Sequence, residues 1–221
     1  MLDPRASEGA PDVPKGAPDV PKGAPDPVLE RAVSALIAGQ VVAIPTDTVY
    51  GLAVHPGLAH GTEALFALKG RPLSIGLPVL VSGIEQAERL CSGGLPAMAR
   101  RVVERFWPGA VTLVVRRRAR IDWLLGGDAT TIGIRCPDDP VVRALCERVG
   151  PLATTSANFH GEAPLTTAEE LRARFGDDVA LVIDGGRLAG RPSTVVDMTG
   201  EQLRCLREGA VPLAELEAVS R

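Results

Sequence analysis

The sequence predicts an α/β fold of α+β-like character, a twisted mixed β-sheet flanked by helices, and three observations point to it. Residues 41–44, Val-Val-Ala-Ile, are continuously apolar, as a strand covered on both faces must be. Capped helix signals recur between runs of this kind, which lays helices against a sheet. Towards the end, strand candidates follow one another directly, so the sheet is mixed rather than purely parallel.

The elements follow in order. Asp26-Pro27 opens the first helix as N-cap and N1 proline; Val28, Ala32, Val33, Leu36 and Ile37 recur at helical spacing, and Gly39 ends it. The strand at 41–44 comes next. Thr62 is expected to cap a short helix that buries Leu65, Phe66 and Leu68 and stops at Lys69-Gly70. Residues 77–81 read as a strand, and 84–90 and 96–106 as helices, the latter with Pro96 at N1. Strands at 111–115 and 130–135 flank a loop over 116–128, and a helix over 140–149 leads to a strand at 151–155. Thr167-Ala168-Glu169-Glu170 is a capping box, in which hydroxyl and carboxylate satisfy each other's orphan amides, so a helix runs from there to about Phe175. Strands at 180–183, 193–197 and 203–206 and a short helix at 213–219 complete the chain.

Residues 1–26 stand apart. Gly9-Ala10-Pro11-Asp12-Val13-Pro14-Lys15 is repeated as Gly16-Ala17-Pro18-Asp19-Val20-Pro21-Lys22, with a partial third copy. Proline removes donors, and the tract has too few large apolar groups to offset ordering entropy, so a disordered arm is expected ahead of one globular domain at 27–221. That length can bury most of its apolar surface. Apolar residues are 45% and charged residues 23% of the chain, ordinary globular values that require no staples. Aromatics are 3%, which argues against the stacking platforms of single-strand binders, and a net charge of -3 advertises no global affinity for nucleic acid. Cys91, Cys136, Cys146 and Cys205 are widely spaced and only His55, His60 and His160 accompany them, so no protein metal site is expected. The cysteines read as reduced, buried thiols; with no membrane span and no signal-peptide pattern, the expected compartment is cytoplasmic.

Three segments carry chemistry. Pro45-Thr46-Asp47-Thr48-Val49-Tyr50-Gly51 leaves the first strand in a turn dense with hydroxyls and one carboxylate. Lys69-Gly70-Arg71-Pro72 places two cations in one loop. Thr154-Thr155-Ser156-Ala157-Asn158 repeats the strand-then-hydroxyl design. Together they suit an anionic ligand rich in hydrogen-bonding groups. Taken singly, each has a plainer reading. Lys69 and Arg71 also suit a helix end neutralising its own dipole. Asp47 reads as a base, a magnesium ligand or a turn residue bonding its own backbone, and Ser156 and Asn158 as caps of the following turn. His160 reads as an exposed loop residue. No Walker sequence, dinucleotide glycine fingerprint or Gly-x-Ser-x-Gly elbow is present, so any nucleotide is held by another geometry.

Taken together, PTDTVYGL, KGRP, FWPGAVTL, TIGIRCP, TTSAN, PSTVVD and LREGAV stand in the order found in YrdC-like threonylcarbamoyl-AMP synthases, which the chain resembles from about Ala35 to Val211. The resemblance implies a YrdC-type sheet with an open concave ligand cavity. It also implies the reaction of L-threonine, bicarbonate and ATP to threonylcarbamoyl-adenylate and pyrophosphate, which feeds the downstream tRNA threonylcarbamoyl transferase machinery. Carried over by position, Lys69 and Arg71 are the catalytic cations on the triphosphate; Thr48, Arg135, Ser156 and Ser193 contact L-threonine, with Arg135 on its carboxylate. Thr131, Asn158, Thr166 and Arg207 join Lys69 and Arg71 around ATP, and Tyr50 lines the pocket or packs in the core. Mg2+ is implied with ATP, held by phosphate oxygens and water. The chain departs from the family at Ile75, where many members carry a polar residue, and at Leu80, where some carry histidine. It resembles the short, single-domain form. A second reading makes the same domain a non-catalytic RNA-binding module, with Lys69, Arg71, Arg116, Arg117 and Arg118 as a basic rim that binds RNA weakly. A third, carbamoyl transfer in hydrogenase maturation, would call for zinc-finger-like and acylphosphatase-like regions.

Overall fold

The computed structural model describes residues 26–159 and 161–220; the repeat arm, Asp26 excepted, and the reading of His160 fall outside the described residues. Helix α1 (Pro27–Ile37) leads into β1 (Val42–Ile44), β2 (Gly51–Val54) and α2 (Ala59–Lys69). Next come β3 (Val79–Leu80), α3 (Ile84–Leu90), α4 (Ala97–Phe106), β4 (Val111–Arg116) and β5 (Thr131–Arg135). Helix α5 (Pro140–Val149), β6 (Leu152–Ser156), α6 (Ala168–Phe175), β7 (Leu181–Val182), β8 (Thr194–Asp197), β9 (Arg204–Arg207) and α7 (Leu213–Ser220) follow. All the strands join one twisted sheet in the order β7-β1-β2-β6-β3-β5-β4-β8-β9. The sheet is mixed as expected: β1 with β7, β3 with β5 and β4 with β8 are parallel, and the remaining pairs antiparallel.

Local chemistry explains several boundaries. Asp26 accepts from the Val28 amide at 2.8 Å, and the Thr167/Glu170 capping box closes on both sides. Gly70 ends α2 in the left-handed region at φ 60, which a glycine enters without a Cβ clash, and so places Lys69 at the very end of the helix.

Elsewhere the structure corrects the sequence reading. Thr62 does not cap α2: the helix starts at Ala59, and the Thr62 hydroxyl donates back to the Ala59 carbonyl at 2.9 Å, as a hydroxyl inside a helix can. Pro96 is the N-cap of α4 and not its N1 residue. The strand expected at 77–81 shrinks to Val79–Leu80, because Pro78 has no ladder donor; Leu77 and Val81 still donate to Leu125 and Arg135. Strand β2, unforeseen, turns the hydroxyl-rich segment into the loop of a β1–β2 hairpin that pairs Ile44 with Gly51 and Val42 with Ala53. Gly51 is needed where β2 meets β6, since a Cβ there would stand 3.0 Å from Thr154 Oγ1.

The continuous apolar runs are explained by cores on both faces. Val42, Ile44 and Ala53 pack with α1 and α5, through Leu36, Val142, Leu145 and Cys146. Ala43, Leu52 and Val54 belong to the larger core, where Leu65, Ala99, Val102 and Leu171 cover the opposite face. Helices α1 and α5 pack on each other beside β1 and β7. On the same face farther along, alternation places Leu113, Ile132, Ile134 and Val196 in the larger core and leaves Thr112, Val114, Thr131, Gly133 and Val195 to line a cavity.

Candidate active site

Two cavities meet over this uncovered half of the sheet. The inner one, about 130 Å3, is walled by the hairpin loop, by Leu80 and Arg135, and by Thr154, Thr155 and Ser156 of β6. The outer one, about 450 Å3, extends over β4, β5 and β8 towards Ile75, Asp128 and Leu206. Both are lined by Arg71, Pro78, Thr112, Ser193 and Arg207, so one molecule can occupy the two at once.

In the inner cavity Arg135 is 6% exposed and donates three ways: Nε to the Gly109 carbonyl at 3.0 Å, Nη1 to Thr48 Oγ1 at 2.9 Å and Nη2 to Asp47 Oδ1 at 2.5 Å. Guanidinium has five N–H groups, which leaves two for a ligand carboxylate. Asp47 also accepts from the Asp138 amide at 3.2 Å, so its carboxylate orients Arg135 and anchors the start of α5's loop instead of bonding its own turn. The turn is held by Thr46, a residue to which the sequence reading assigns no role. Its buried hydroxyl accepts from the Thr48 and Val49 amides, both at 3.2 Å, donates to the Val49 carbonyl at 2.6 Å and lies 2.9 Å from Thr48 Oγ1. Thr46→Val, which keeps the shape and strips the hydroxyl, is expected to cost about 2 kcal/mol in urea denaturation and to weaken binding in this cavity, because two buried amides lose their acceptor. A variant as stable as the parent would show that water replaces the hydroxyl.

Arg71 is positioned by its own loop, with Nε donating to Ile75 O at 2.9 Å and Nη2 to Gly76 O at 2.8 Å. Arg207 donates from Nη2 to Ser193 O at 2.9 Å and Ser193 Oγ at 3.2 Å, and the Ser193 hydroxyl lies 2.9 Å from that of Thr112. Lys69 is 2% exposed and sits behind the wall; its ammonium donates to Ser156 O at 2.5 Å and to Asn158 Oδ1. These cations oppose one another. Burial and then the Arg71 charge pull Lys69 down to about 8, and burial followed by the Arg207 charge lowers Arg71. Burial lowers Arg135 most; Asp47 opposes the shift and Arg207 adds to it. An anion entering the cavity would offset the repulsion among these cations and favour their charged forms.

The structure thus brings Thr48, Arg135 and Ser156 to the inner cavity and Thr131 to the outer one, with Arg71, Ser193 and Arg207 shared between them. Lys69 and Asn158 stand one layer back. Thr166 is not brought to either cavity: its amide donates to Glu170 at 2.9 Å and its hydroxyl accepts from Arg187 at 3.2 Å. Tyr50 lines the inner cavity while its side chain is fully buried in the core, with its hydroxyl donating to Gly186 O at 2.8 Å and accepting from Gly185 N at 3.0 Å. Of the expected basic rim only Arg71 lines the cavities: Arg116, Arg117 and Arg118 line neither, and Arg117 donates to Trp123 O and Arg118 to Cys91 O and Glu88 O. No group of three His, Cys, Asp or Glu side chains able to hold a metal occurs among the described residues.

Comparison with known proteins gives one consistent result. The Sua5/YciO/YrdC family, described as "Telomere recombination", matches residues 34–209. The chain is similar to the threonylcarbamoyl-AMP synthase of Chromohalobacter salexigens, with 40% identity over 177 residues covering 78% of this chain and 94% of that protein. Its similarity to the Bacillus subtilis protein of the same name is 34% over 196 residues, covering 87% and 56% of the two chains. Among solved structures, Pyrococcus abyssi Sua5 complexed with L-threonine superposes with a TM-score of 0.82 at 33% identity, covering 86% of this chain but only 56% of that one. Escherichia coli YciO gives a TM-score of 0.77 at 26% identity over 84% and 90%. The chain therefore spans little more than half of the Bacillus and Pyrococcus proteins.

Proposed function

Since the chain belongs to the Sua5/YciO/YrdC family, we propose that it is an ATP-dependent L-threonylcarbamoyladenylate synthase, a nucleotidyltransferase. One observation carries the reading: three arginines, Arg71, Arg135 and Arg207, line two joined cavities with Lys69 directly behind the wall, and among the described residues only Arg135 of the four cations has a carboxylate partner. An amino acid fits the inner cavity and a nucleoside triphosphate the outer one.

In the reaction, Arg135 holds the threonine carboxylate, with Thr48, Ser156 and Ser193 around the remaining polar groups. The threonine amine, once deprotonated, adds to carbon dioxide from bicarbonate and forms a carbamate. A carbamate oxygen then attacks the α-phosphorus, and the bond to the β-phosphate breaks as pyrophosphate leaves. Arg71 and Arg207, with Lys69 behind the wall, offset the charge that moves onto the leaving group. Catalysis rests on positioning and electrostatics, as in other transfers at phosphorus. Asp47 is committed to Arg135 and Asp128 accepts from Thr130 N and Oγ1, both at 2.8 Å, so the donor set fits a magnesium ion carried in by ATP on phosphate oxygens and water. Such an ion would screen the triphosphate when bound.

The product is an activated carbamoyl donor suited to a tRNA threonylcarbamoyl transferase, in a cytoplasmic setting; no helix among the described residues is long and apolar enough to cross a membrane. Pyrophosphate release is expected only when ATP, L-threonine and bicarbonate are present together. Absence of release with all three present would overturn the reading, as would equal release with threonine omitted.

A further inference from the structure

Five large apolar side chains among the described residues are exposed: Val28, Ile37, Leu73, Ile75 and Leu206. Two of them, Ile75 at 38% and Leu206 at 50%, line the same outer cavity from separate elements, the loop after Arg71 and the edge strand β9. Leu73 belongs to that loop as well, and its carbonyl accepts from Gly127 N in the cavity wall at 2.7 Å. Exposed apolar groups gathered at the mouth of a cavity mark a surface that a ligand covers.

Several polar groups of the same cavity are already engaged. Asp128 Oδ1 accepts from Thr130 N and Oγ1, the Thr131 hydroxyl donates to Asp128 O at 3.2 Å, and Gly76 O accepts from Arg71. Ser74 retains a rotatable hydroxyl, which donates or accepts according to the base it meets. Among the described residues no aromatic ring lines the cavity, while Pro78, Val114 and Val195 make its floor apolar.

We propose that Ile75 and Leu206 clamp the faces of the nucleobase, so that the outer cavity takes purine nucleoside triphosphates by their faces and not by their edges. The proposal rests on the ATP-dependent reading above, and it makes Ile75 a specificity residue of this chain. A site built on hydrogen bonds to its substrate rejects an analogue lacking them by about 10^4-fold, whereas an apolar pocket discriminates weakly between isosteres. ATP and GTP are therefore expected to bind with dissociation constants within about tenfold of each other.

The test is titration calorimetry of the full chain with ATP, GTP and inorganic tripolyphosphate, repeated on Ile75→Ser, Leu206→Ser and the double variant. Both side chains are exposed, so a thermal melt matching that of the parent checks the fold. Each substitution is expected to weaken ATP and GTP alike by about tenfold, from lost apolar contact, and to leave tripolyphosphate binding unchanged. A preference for ATP over GTP beyond tenfold would overturn the clamp, as would a double variant that binds ATP like the parent. A parent that binds neither ATP nor tripolyphosphate would overturn the clamp together with the reading beneath it; ATP binding retained in the double variant would overturn the clamp alone.

Discussion

Arg135→Ala is expected to lose L-threonine binding and about 3 kcal/mol of stability together, because one guanidinium both lines the cavity and neutralises Asp47. The two side chains are only 8% and 17% exposed, so removing the cation leaves a carboxylate with little water to replace its partner. Asp47→Ala should be milder for stability, since Arg135 keeps its bonds to Gly109 O and Thr48 Oγ1. The double variant separates the two roles. With both side chains gone no buried charge is left without its counter-charge, and although Gly109 O and the Asp138 amide lose a partner, stability in urea denaturation should recover part of the loss, giving a coupling of about 2 kcal/mol in a double-mutant cycle. Threonine binding should not recover. A double variant that regains affinity for threonine would show that Arg135 is scaffold alone, and an Arg135→Ala protein that still binds threonine would end its assignment as the carboxylate clamp.

The pair also marks the limit of what the sequence discloses. Asp47 and Arg135 are separated by 88 positions, and only the packing of β5 beside the hairpin loop brings them together. In the sequence Asp47 is open to three roles, and the one it fills is not among them. Strand β2 is illegible for a related reason: Gly-Leu-Ala-Val has no strong intrinsic preference, and its strand state comes from pairing with β1 on one side and β6 on the other. Where the signal is local, the sequence is sufficient. The caps at Asp26 and Thr167 and the stop at Gly70 depend on neighbours within four residues. The floor of the cavity is readable too, because β5 alternates Thr131, Gly133 and Arg135 against buried Ile132 and Ile134, a period of two that by itself separates lining from core. Thr166 shows the opposite case: resemblance alone places it beside the nucleotide, and its hydrogen bonds instead join it to Glu170 and Arg187.

Lys69 is expected to couple nucleotide binding to proton uptake. It stands one layer behind Ser156, so its influence on a triphosphate is through charge and does not need contact. In the free protein burial, and after it Arg71, hold its ammonium at about 8, below the ordinary 10.5. The sign follows directly. Between these values the unfolded chain carries the proton and the folded chain does not, so stability from this group rises as pH climbs through that window. A bound polyanion reverses the preference by favouring the charged form. ATP binding should then take up about nine-tenths of a proton at pH 9 against about one-tenth at pH 7, read from titrations in buffers of different ionisation enthalpy. Lys69→Arg, charged throughout, should bind ATP without that pH dependence. Lys69→Met should show neither uptake nor full affinity, weakening ATP by about tenfold, the worth of one charge acting across a layer of protein. Arg71→Ala should weaken ATP as much while raising the Lys69 value, since a neighbouring positive charge is gone, and so move the uptake to higher pH. Equal proton uptake by the parent at pH 7 and pH 9, or uptake that persists in Lys69→Met, would place the triphosphate away from this helix end.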